Sequence, residues 1–301
     1  MTPAGGGLTI FTTPKRFEGR SDVLQRNAIR SWTQLEEAPE VLVFGDDEGT
    51  PAGCAELGVR HVPGIATNEF GRPLISDMFA RAQQLAAHDV LCYVNADVIL
   101  TSESVVAAGK VANWAPQFLI VAQRWDLDAV EPRELDNPNW EVNLKARAVR
   151  EGERRSEVWI DWFVFRRGQL DSIPPFPVGR PGWDNWLIWH SVTSGVPVVD
   201  ATNYVPLIHQ RHDYGQGGGQ KVQWEGEETQ RSHALIGHWS HYYTVAHAQW
   251  MLTVGGEISA ARGWKYRLAK PRRLVSHCLR FTRPLRRRLL EAQSARRIAG
   301  R

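Results

Sequence analysis

The sequence predicts an α/β fold in which helices cover both faces of a largely parallel β-sheet. In the first third of the chain, short apolar runs alternate with segments whose apolar residues recur at the helical period. The runs that suit strands are 8–11, 41–44, 59–62 and 90–94. Neighbouring parallel strands need a crossover connection, which a helix supplies, so this alternation indicates a parallel sheet.

The same patterns place the remaining elements. Pro51 and Pro73 each stand where proline opens a helix. We expect helices at 21–35, 51–57, 73–85 and 183–190, and further strands at 118–122, 159–165, 196–200 and 204–208. Other segments predict no regular structure: a polar excursion or flexible loop at 130–155, a Pro- and Gly-rich stretch at 173–182 and a flexible segment at 215–219.

The composition is that of a globular protein with a basic C-terminal segment. The chain has 301 residues, of which 43% are apolar and 23% are charged, and this suits one large α/β domain. From Arg262 to Arg301 there are 14 Lys or Arg and one acid, so the rest of the chain carries 22 basic and 32 acidic residues. We therefore expect a main domain at 1–255 and a basic helical tail at 256–301.

Cysteine usage and the N-terminal residues predict a cytoplasmic protein. Cys54, Cys92 and Cys278 are odd in number, far apart and without metal-ligand spacing, as expected in a reducing compartment. Residues 1–7 show neither the basic nor the apolar region of a signal peptide. No run approaches the roughly 20 apolar residues that cross a bilayer.

Polar residues follow three of the predicted strands, where ligands bind in open α/β sheets. They are Thr12, Thr13, Pro14, Asp46, Asp47, Asn95 and Asp97. The carboxylates of Asp46 and Asp47 can accept hydrogen bonds from a base or from ribose hydroxyls. The alternative is an Asp-rich turn.

Asp97 is a candidate ligand for Mg²⁺ or Mn²⁺, because these hard cations prefer oxygen. Such an ion can bridge the two phosphates of a nucleotide diphosphate and stabilise the leaving group. His209 and His212 follow the last predicted strand and can complete the ligand set. The alternatives are that Asp97 caps a turn or helix and that both histidines are solvated loop residues.

Residues 179–186, with the sequence GRPGWDNW, form the most unusual run of the chain. Asp184 lies in the first turn of the predicted helix, where the helix dipole favours an ionised carboxylate. It can act as a general base toward an acceptor hydroxyl, or it can cap the helix. Trp183 and Trp186 either offer flat faces to a sugar ring or pack in the core. Arg72 can pair bidentately with phosphate, or it is an exposed surface residue.

Together these residues resemble the GT-A glycosyltransferases over roughly residues 8–213. The marker of that fold is an Asp-x-Asp motif after a core strand, and Asn95-Ala96-Asp97 stands in its place. Gly182-Trp183-Asp184-Asn185 is similar to the Gly-Trp-x-x-Glu-Asp acceptor motif of inverting members. The resemblance implies a GT-A-like, Rossmann-like mixed sheet with helices on both faces. Asn95 replaces a carboxylate, which lowers the negative charge at the metal.

The resemblance also implies a role for each candidate residue. Asp184 would be the catalytic base, and the metal ligands would be Asp97, His209 and His212. Acceptor contacts would come from Trp183, Asn185 and Trp186. The donor would contact Thr12, Thr13, Pro14, Asp46, Asp47, Arg72, Asn95 and Asp97.

The implied activity is transfer of a sugar from a nucleotide-diphosphate donor to a hydroxyl of a glycan or lipid-linked acceptor, with Mn²⁺ or Mg²⁺. Inversion is the expected outcome, and retention stays the alternative because the sequence does not reveal which face the acceptor approaches. One alternative is a nucleotidyltransferase that makes the sugar nucleotide. Such enzymes usually carry a Gly-rich basic loop after the first strand, whereas residues 12–17 are TTPKRF. The other alternative is a non-catalytic module that binds a sugar nucleotide. The replacement of a carboxylate by Asn95 suits this alternative.

The basic tail mixes arginines with apolar residues, as in RPLRRRLL at 283–290. Residues 262–301 can therefore lie on an anionic membrane, at the inner face, where a lipid-linked or cell-envelope acceptor is reached. The alternative is a solvated tail. No recognition motif accompanies the charge, so nucleic acid is not an expected partner.

Overall fold

The structure of the protein, a computed structural model, describes residues 7–212 and 226–269. Its strands are β1 (Leu8–Thr12), β2 (Glu40–Phe44), β3 (Arg60–Val62), β4 (Val90–Val94), β5 (Val98–Ile99), β6 (Leu119–Val121), β7 (Arg124–Leu127), β8 (Glu153–Arg154), β9 (Trp162–Arg166), β10 (Val198–Asp200), β11 (Leu207–Gln210), β12 (Trp250–Leu252) and β13 (Ile258–Ala260). The main helices are α1 (Gly19–Thr33), α2 (Thr50–Leu57), α3 (Ile75–Leu85), α4 (Ser102–Trp114), α5 (Trp140–Glu151), α6 (Trp183–Thr193) and α7 (Glu227–Ile236).

The larger sheet confirms the predicted mixed α/β architecture. Its strand order is β13-β12-β10-β6-β9-β4-β1-β2-β3. The first four strands of the chain pair in parallel, as the sequence predicts. The sheet becomes mixed at β9, which runs antiparallel between β4 and β6. The apolar runs form strands here because side chains on both faces of this sheet are buried.

Helices cover both faces of the larger sheet, and alternate strand residues belong to two separate core clusters. Along β1, Phe11 packs with α3 and α6 on one face, whereas Ile10 packs with α1 and α4 on the other. The period of two along each strand sends successive side chains to opposite faces. The helices therefore hold the sheet from both sides and leave the carboxyl ends of its parallel strands at one edge.

The second sheet is small, with the order β5-β11-β7-β8. In it β11 pairs in parallel with β7 and antiparallel with β5. The register sets His209 opposite Asp126 on one side and opposite Val98 on the other. Because Asp97 immediately precedes Val98, this small sheet brings Asp97, His209 and Asp126 side by side.

The predicted loop at 130–155 is wrong, since this stretch contains a short 3-10 helix (Pro132–Asp136) and α5. The apolar residues Trp140, Leu144 and Ala148 recur every four residues and are buried in a third core cluster. One apolar residue per turn gives a weak sequence signal within a polar segment. Helices α4 and α7 and the β12–β13 hairpin were not predicted from the sequence. The irregular stretch at 173–182 is confirmed as free of helix, and the flexible segment predicted at 215–219 lies outside the described residues.

The larger sheet continues past residue 255, because β13 pairs antiparallel with β12. Beyond it, Lys265 Nζ and Tyr266 Oη donate hydrogen bonds of 2.8 and 2.7 Å to Asp200 Oδ2 at the end of β10. The division at 255 stays a prediction, and the tail from residue 270 lies outside the described residues. Within the described residues, no helix combines the length and the apolar character needed to cross a bilayer.

Candidate active site

Asp97, His209 and His212 bring three metal-binding side chains together where the two sheets meet. Asp97 lies in the turn between β4 and β5, His209 lies in β11, and His212 follows that strand. His212 Nε2 lies 3.0 Å from Asp97 Oδ2, and His209 Nε2 lies 3.6 Å from the same oxygen. The structure thus groups the three residues from which the sequence predicts a metal site.

The donor atoms of this cluster fit a divalent cation. Ligands about 2.1 Å from a cation and at right angles to each other lie about 3 Å apart, close to the separations observed. The second carboxylate oxygen, Asp97 Oδ1, is buried and has no hydrogen-bond partner among the described residues. A buried oxygen of this kind needs a donor or a cation. The two imidazoles favour a transition metal, so Mn²⁺ suits the set better than Mg²⁺.

The charge of Asp97 is maintained by its histidine neighbours. Burial raises the pKa of Asp97, but hydrogen bonds from His209 and His212 outweigh burial and hold the pKa well below its usual range. The carboxylate is therefore ionised at neutral pH, as a metal ligand must be.

Asp126 lies behind His209 and fixes the orientation of its ring. His209 Nδ1 lies 3.0 Å from Asp126 Oδ1, so Nε2 points toward Asp97. Burial lowers the pKa of His209, but the carboxylates of Asp126 and Asp97 raise it to about 9. Burial raises the pKa of Asp126, but His209 and then Arg124 lower it further than burial raises it. His209 is thus protonated at neutral pH without a metal, and a metal ion would replace the proton on Nε2 while Asp126 keeps the proton on Nδ1.

Asn95 is part of a hydrogen-bonded network at the end of β4. Tyr93 Oη donates to Asn95 Oδ1 at 2.8 Å, and Asn95 Nδ2 donates to Asp161 Oδ1 at 2.7 Å. Asp161 Oδ2 in turn accepts a hydrogen bond from Arg124 Nη1. Both ends of the Asn95 amide thus contact protein atoms, and a direct contact with the donor stays a prediction.

Asp184 lies in the first turn of α6, after a glycine that the turn requires. Gly182 has a φ of 104°, where other residues are strained, and a Cβ at this position would overlap Ile236. Gly182 N donates to Asp184 Oδ1 at 3.2 Å. Burial raises the pKa of Asp184 to about 6, the backbone N–H groups of Asn185 and Gly182 oppose the rise, and the charge of Asp161 adds to it. A carboxyl with this pKa is an effective general base near neutral pH.

Tyr93 connects Asp184 electrostatically with the metal-ligand cluster. Burial raises the pKa of Tyr93, and the charges of Asp161, Asp97 and Asp184 raise it further. The three carboxylates therefore lie within electrostatic range of one tyrosine hydroxyl. The candidate base and the candidate metal ligand Asp97 therefore share Tyr93 as a neighbour, and their joint role stays a prediction.

Trp183 and Trp186 pack in the core, the alternative that the sequence left open. Each is 7% exposed, and the Trp183 ring lies 5.1 Å from that of Tyr93, edge to face. The Trp186 ring stacks on His190 with centroids 4.6 Å apart. The acceptor platform expected of these two rings is therefore not formed by them, because their faces are covered. Asn185 Nδ2 donates to the carbonyl of Tyr243 at 2.7 Å, and its acceptor contact stays a prediction.

The residues predicted to hold the nucleoside lie at the carboxyl ends of β1 and β2. Thr12 and Pro14 are buried, whereas Thr13 is half-buried and lies beside Gly45. Asp46 and Asp47 are exposed, and Asp46 Oδ2 accepts a hydrogen bond of 2.7 Å from Gly64 N. Of Thr12, Thr13 and Pro14, Thr13 is therefore the residue whose side chain is the least buried.

Arg72 pairs with Glu228 at the start of α7. Arg72 Nε lies 2.8 Å from Glu228 Oε2, and Arg180 Nη2 lies 2.6 Å from the same oxygen. Burial raises the pKa of Glu228, but hydrogen bonds from Asn68 and Arg72 lower it further. The pairing ties the loop before α3 to α7, and the phosphate contact of Arg72 stays a prediction.

Sequence reasoning missed the residues that surround the predicted ones: Asp126, Asp161, Arg124 and Tyr93. Arg124 and Asp126 stand in an alternating strand pattern, RWDL, and two charged residues pointing to one face of a strand are unusual in a core. That signal was available in the sequence. The partners on other strands were not, since Arg124 pairs with Asp161 across 37 residues of the chain and Asp126 pairs with His209 of β11.

Comparison with known proteins gives structural but not sequence relatives. No protein-family model matches the chain, and no curated protein matches it. Among solved structures, GalNAc-T7 with UDP, GalNAc and Mn²⁺ matches with a TM-score of 0.50 and 13% identity, over 78% of this chain and 49% of that one. The chain has the GT-A fold.

Two further solved structures share the GT-A topology at lower similarity. Glucosyl-3-phosphoglycerate synthase of Mycobacterium tuberculosis matches with a TM-score of 0.48 and 14% identity, over 79% of this chain and 81% of that one. The mannosyltransferase PcManGT from Pyrobaculum calidifontis, in complex with GDP-Man and Mn²⁺, matches with a TM-score of 0.44 and 13% identity, over 71% and 59%. The predicted fold class is confirmed by the strand order and by the match to GalNAc-T7, while the assignment of individual site residues stays a prediction.

Proposed function

We propose that the protein is a glycosyltransferase that moves a sugar from a nucleotide-diphosphate donor to a hydroxyl of a glycan or lipid-linked acceptor. The observation that carries the proposal is the cluster of Asp97, His209 and His212, with the carboxylate of Asp184 in electrostatic range of Tyr93 on β4. The GT-A fold supports it, because GalNAc-T7, which has that fold, was solved with UDP, GalNAc and Mn²⁺.

Asp97, His209 and His212 would hold the divalent cation, Mn²⁺ or Mg²⁺. When bound, this ion would neutralise the charge that develops on the departing diphosphate. Asp97 supplies a fixed negative charge, and Asp126 keeps the Nε2 atom of His209 directed at the cluster. The protein thus presents preorganised ligands, so little reorganisation is needed when the donor binds.

Asp184 would act as the general base of an inverting transfer. Its carboxylate takes the proton of the acceptor hydroxyl, the hydroxyl oxygen forms a bond to the anomeric carbon, and the bond from that carbon to the diphosphate oxygen breaks. The electron pair leaves with the nucleoside diphosphate. A pKa of about 6 for Asp184 keeps most of the carboxyl groups ionised at pH 7 while preserving their basicity.

We assign the nucleoside to the edge formed by Thr13, Asp46 and Asp47, and the donor phosphates and sugar to the side of Arg72 and Asn95. Exposed carboxylates at strand ends can accept hydrogen bonds from a base or from ribose. For the acceptor we retain Asn185, because Trp183 and Trp186 are buried.

The proposal is tested by a screen of sugar nucleotides for binding and hydrolysis, with and without Mn²⁺. We expect hydrolysis of at least one donor, dependent on the metal and reduced by Asp97→Asn and by Asp184→Asn. The matched control is Asp128→Asn, because Asp128 follows β7 with its side chain 79% exposed. A screen without metal-dependent binding or hydrolysis of any sugar nucleotide would refute the proposal.

The alternatives give different products in the same screen. A nucleotidyltransferase would release diphosphate from a nucleoside triphosphate plus a sugar phosphate. A non-catalytic module would bind a sugar nucleotide without hydrolysing it.

The ligand set itself favours one more candidate, since two histidines and one carboxylate also form the triad of non-haem Fe(II) oxygenases. Anaerobic Fe²⁺ loading followed by exposure to O₂ would then give oxygen consumption, and the glycosyltransferase would give none.

We also propose that the protein works in the cytoplasm, at the inner face of the membrane, through residues 262–301. Trp264 and Leu268 support this, since they are one helical turn apart and are 75% and 71% exposed. Arg262 precedes them and Arg267 lies between them, and basic segments with exposed apolar residues bind anionic lipid. The double variant Trp264→Ser and Leu268→Ser should lose binding to vesicles that contain anionic lipid. The control is Val254→Ser, at a residue that is 79% exposed, and equal vesicle binding by all three proteins would contradict the idea.

A further inference from the structure

We propose that Arg124 is a positioning residue that joins the metal-ligand half of the site to the half that holds Asp161 and Asn95. The inference rests on the proposed function, because it concerns how the candidate metal ligands are held. Arg124 is not itself a metal ligand, because a guanidinium has no lone pair to offer a cation. Its role is carried by the two carboxylates that it pairs with.

Arg124 is a buried cation between two buried carboxylates. It is 3% exposed, and its Nε lies 2.8 Å from Asp126 Oδ1. Its Nη1 donates a hydrogen bond to Asp161 Oδ2. The guanidinium carbon lies 4.8 Å from the centroid of the Trp159 ring, so the group also packs against an aromatic ring. The planar fork of an arginine can serve two carboxylates at once in a fixed geometry.

The two carboxylates lead to different parts of the site. Asp126 lies 3.0 Å from His209 Nδ1 and so orients a candidate metal ligand. Asp161 accepts a hydrogen bond from Asn95, and its charge also raises the pKa of Asp184. Asp126 belongs to β7 of the small sheet, whereas Asp161 immediately precedes β9 of the larger sheet. One guanidinium therefore fixes the distance between the two sheets at the point where the site lies.

Stability alone is a weak reason for such a residue. A buried ion pair costs much desolvation, and well-packed apolar residues of similar volume are often as stable or more stable. Two buried carboxylates that must be held in fixed positions, by contrast, need a cation between them. His209, which contacts Asp126, and Asn95, which donates a hydrogen bond to Asp161, then keep their orientations.

Arg155 provides a matched control, because it lies beside two of the same groups. Its Nε lies 3.5 Å from Asp126 Oδ2, and its guanidinium carbon also lies 4.8 Å from the Trp159 ring centroid. Its side chain is more exposed, at 28%, and its second ion pair is with Glu153 rather than Asp161. A lysine at either position keeps the positive charge but lacks the planar guanidinium that can bind two carboxylates at once.

The test is the dissociation constant for Mn²⁺ alone, measured by electron paramagnetic resonance of the free ion with the full chain. We expect Arg124→Lys to weaken Mn²⁺ binding by about 10- to 100-fold, the usual effect of losing a group behind a metal ligand. Arg155→Lys should change it by less than about threefold, since the half-buried Arg155 keeps its positive charge and has no contact with Asp161 that corresponds to that of Arg124. Asp161→Asn should weaken binding as well, although Asp161 is not in the metal-ligand cluster.

The double variant of Arg124→Lys with Asp161→Asn separates positioning from a general loss of structure. Two substitutions that break the same contact have effects on binding free energy that do not add. The double variant should therefore bind Mn²⁺ little more weakly than Arg124→Lys alone. Thermal unfolding of each variant checks the fold, and Asp161→Asn by itself carries the test if Arg124→Lys does not fold. Mn²⁺ binding by Arg124→Lys within threefold of the wild type, or additive effects in the double variant, would overturn the inference. If the wild type does not bind Mn²⁺, the metal site of the proposed function fails too, so the two failures are distinguishable.

Discussion

Asp184 gives the most quantitative prediction, because its pKa of about 6 places the change of protonation in an accessible pH range. The carboxylate is the working form of a general base, so kcat/KM should fall as the pH drops through about 6. With this pKa, about nine-tenths of the carboxyl groups are ionised at pH 7 and about one-tenth at pH 5. We therefore expect about a tenfold loss of kcat/KM between pH 7 and pH 5. A carboxyl with the ordinary pKa of 3.8 would stay ionised over the same range.

The assay is hydrolysis or transfer of the active sugar nucleotide at saturating Mn²⁺, which removes the effect of pH on metal occupancy. Asp184→Asn should lower kcat/KM by about 10²- to 10⁴-fold and remove the acid limb of the profile. Asp161→Asn should shift the acid limb to lower pH, because the charge of Asp161 helps raise the pKa of Asp184. A wild-type profile that is flat from pH 7 to pH 5, or full activity in Asp184→Asn, would refute this reasoning.

The same substitution should have the opposite effect on stability. A carboxyl whose pKa is higher in the folded state stabilises the fold as the pH falls through about 6, and its ionised form costs stability above that pH. Asp184→Asn should therefore raise the free energy of unfolding at pH 7 by about 1–3 kcal/mol, measured in urea, and by nearly nothing at pH 4. A less stable variant at pH 7 would show that Asp184 mainly caps the helix.

Three further predictions concern the groups around the site and the last described segment. Asp126→Asn should weaken Mn²⁺ binding by about 10- to 100-fold, measured by calorimetry, because His209 loses the carboxylate that orients it. Gly182→Ala should lower the free energy of unfolding in urea by about 1–3 kcal/mol, because φ is 104° and the new Cβ overlaps Ile236. Asp200→Ala should cost about 3–5 kcal/mol in the same assay, since Lys265 and Tyr266 lose their buried partner.

Each of these substitutions has a control and a contradicting result. Asp128→Asn should leave Mn²⁺ affinity unchanged, and an Asp126→Asn variant that binds like the wild type would contradict the role of Asp126. Gly179→Ala is the control for Gly182→Ala, because its φ is also positive, at 74°, but no atom lies within 4 Å of the new Cβ. Equal losses in both would show that the overlap with Ile236 is unimportant. Glu257→Ala, at an exposed site, is the control for Asp200→Ala, and equal stability of the two variants would exclude the proposed anchor.

The parts of the fold that the sequence predicted are those with a strong local pattern. The parallel strands β1 to β4 are continuous apolar runs bounded by glycine or polar residues, and the structure places them as expected. Helix α5 was missed because only Trp140, Leu144 and Ala148 face its small core, which is one apolar residue per turn. Strand β9 was predicted, but its antiparallel position between β4 and β6 was not, since a strand pattern does not state its partner.

The candidate site divides in the same way. Asp97, His209 and His212 were chosen because each follows a predicted strand, and they meet in the structure. Trp183 and Trp186 show the limit of that reasoning. A residue beside a candidate base can bind the acceptor or pack in the core, and only its burial in the structure distinguishes these two roles.

The sequence by itself determined the α/β class of this protein, the parallel order of its first strands, and the polar residues that end those strands. These features depend on local periodicity and on residue type, which a chain displays without folding. Only the tertiary structure decided that Asp126 orients His209, that Arg124 bridges to Asp161, and that burial raises the pKa of Asp184 to about 6. Those properties arise from pairing between distant strands and from exclusion of water, and both exist only when the two sheets are packed together.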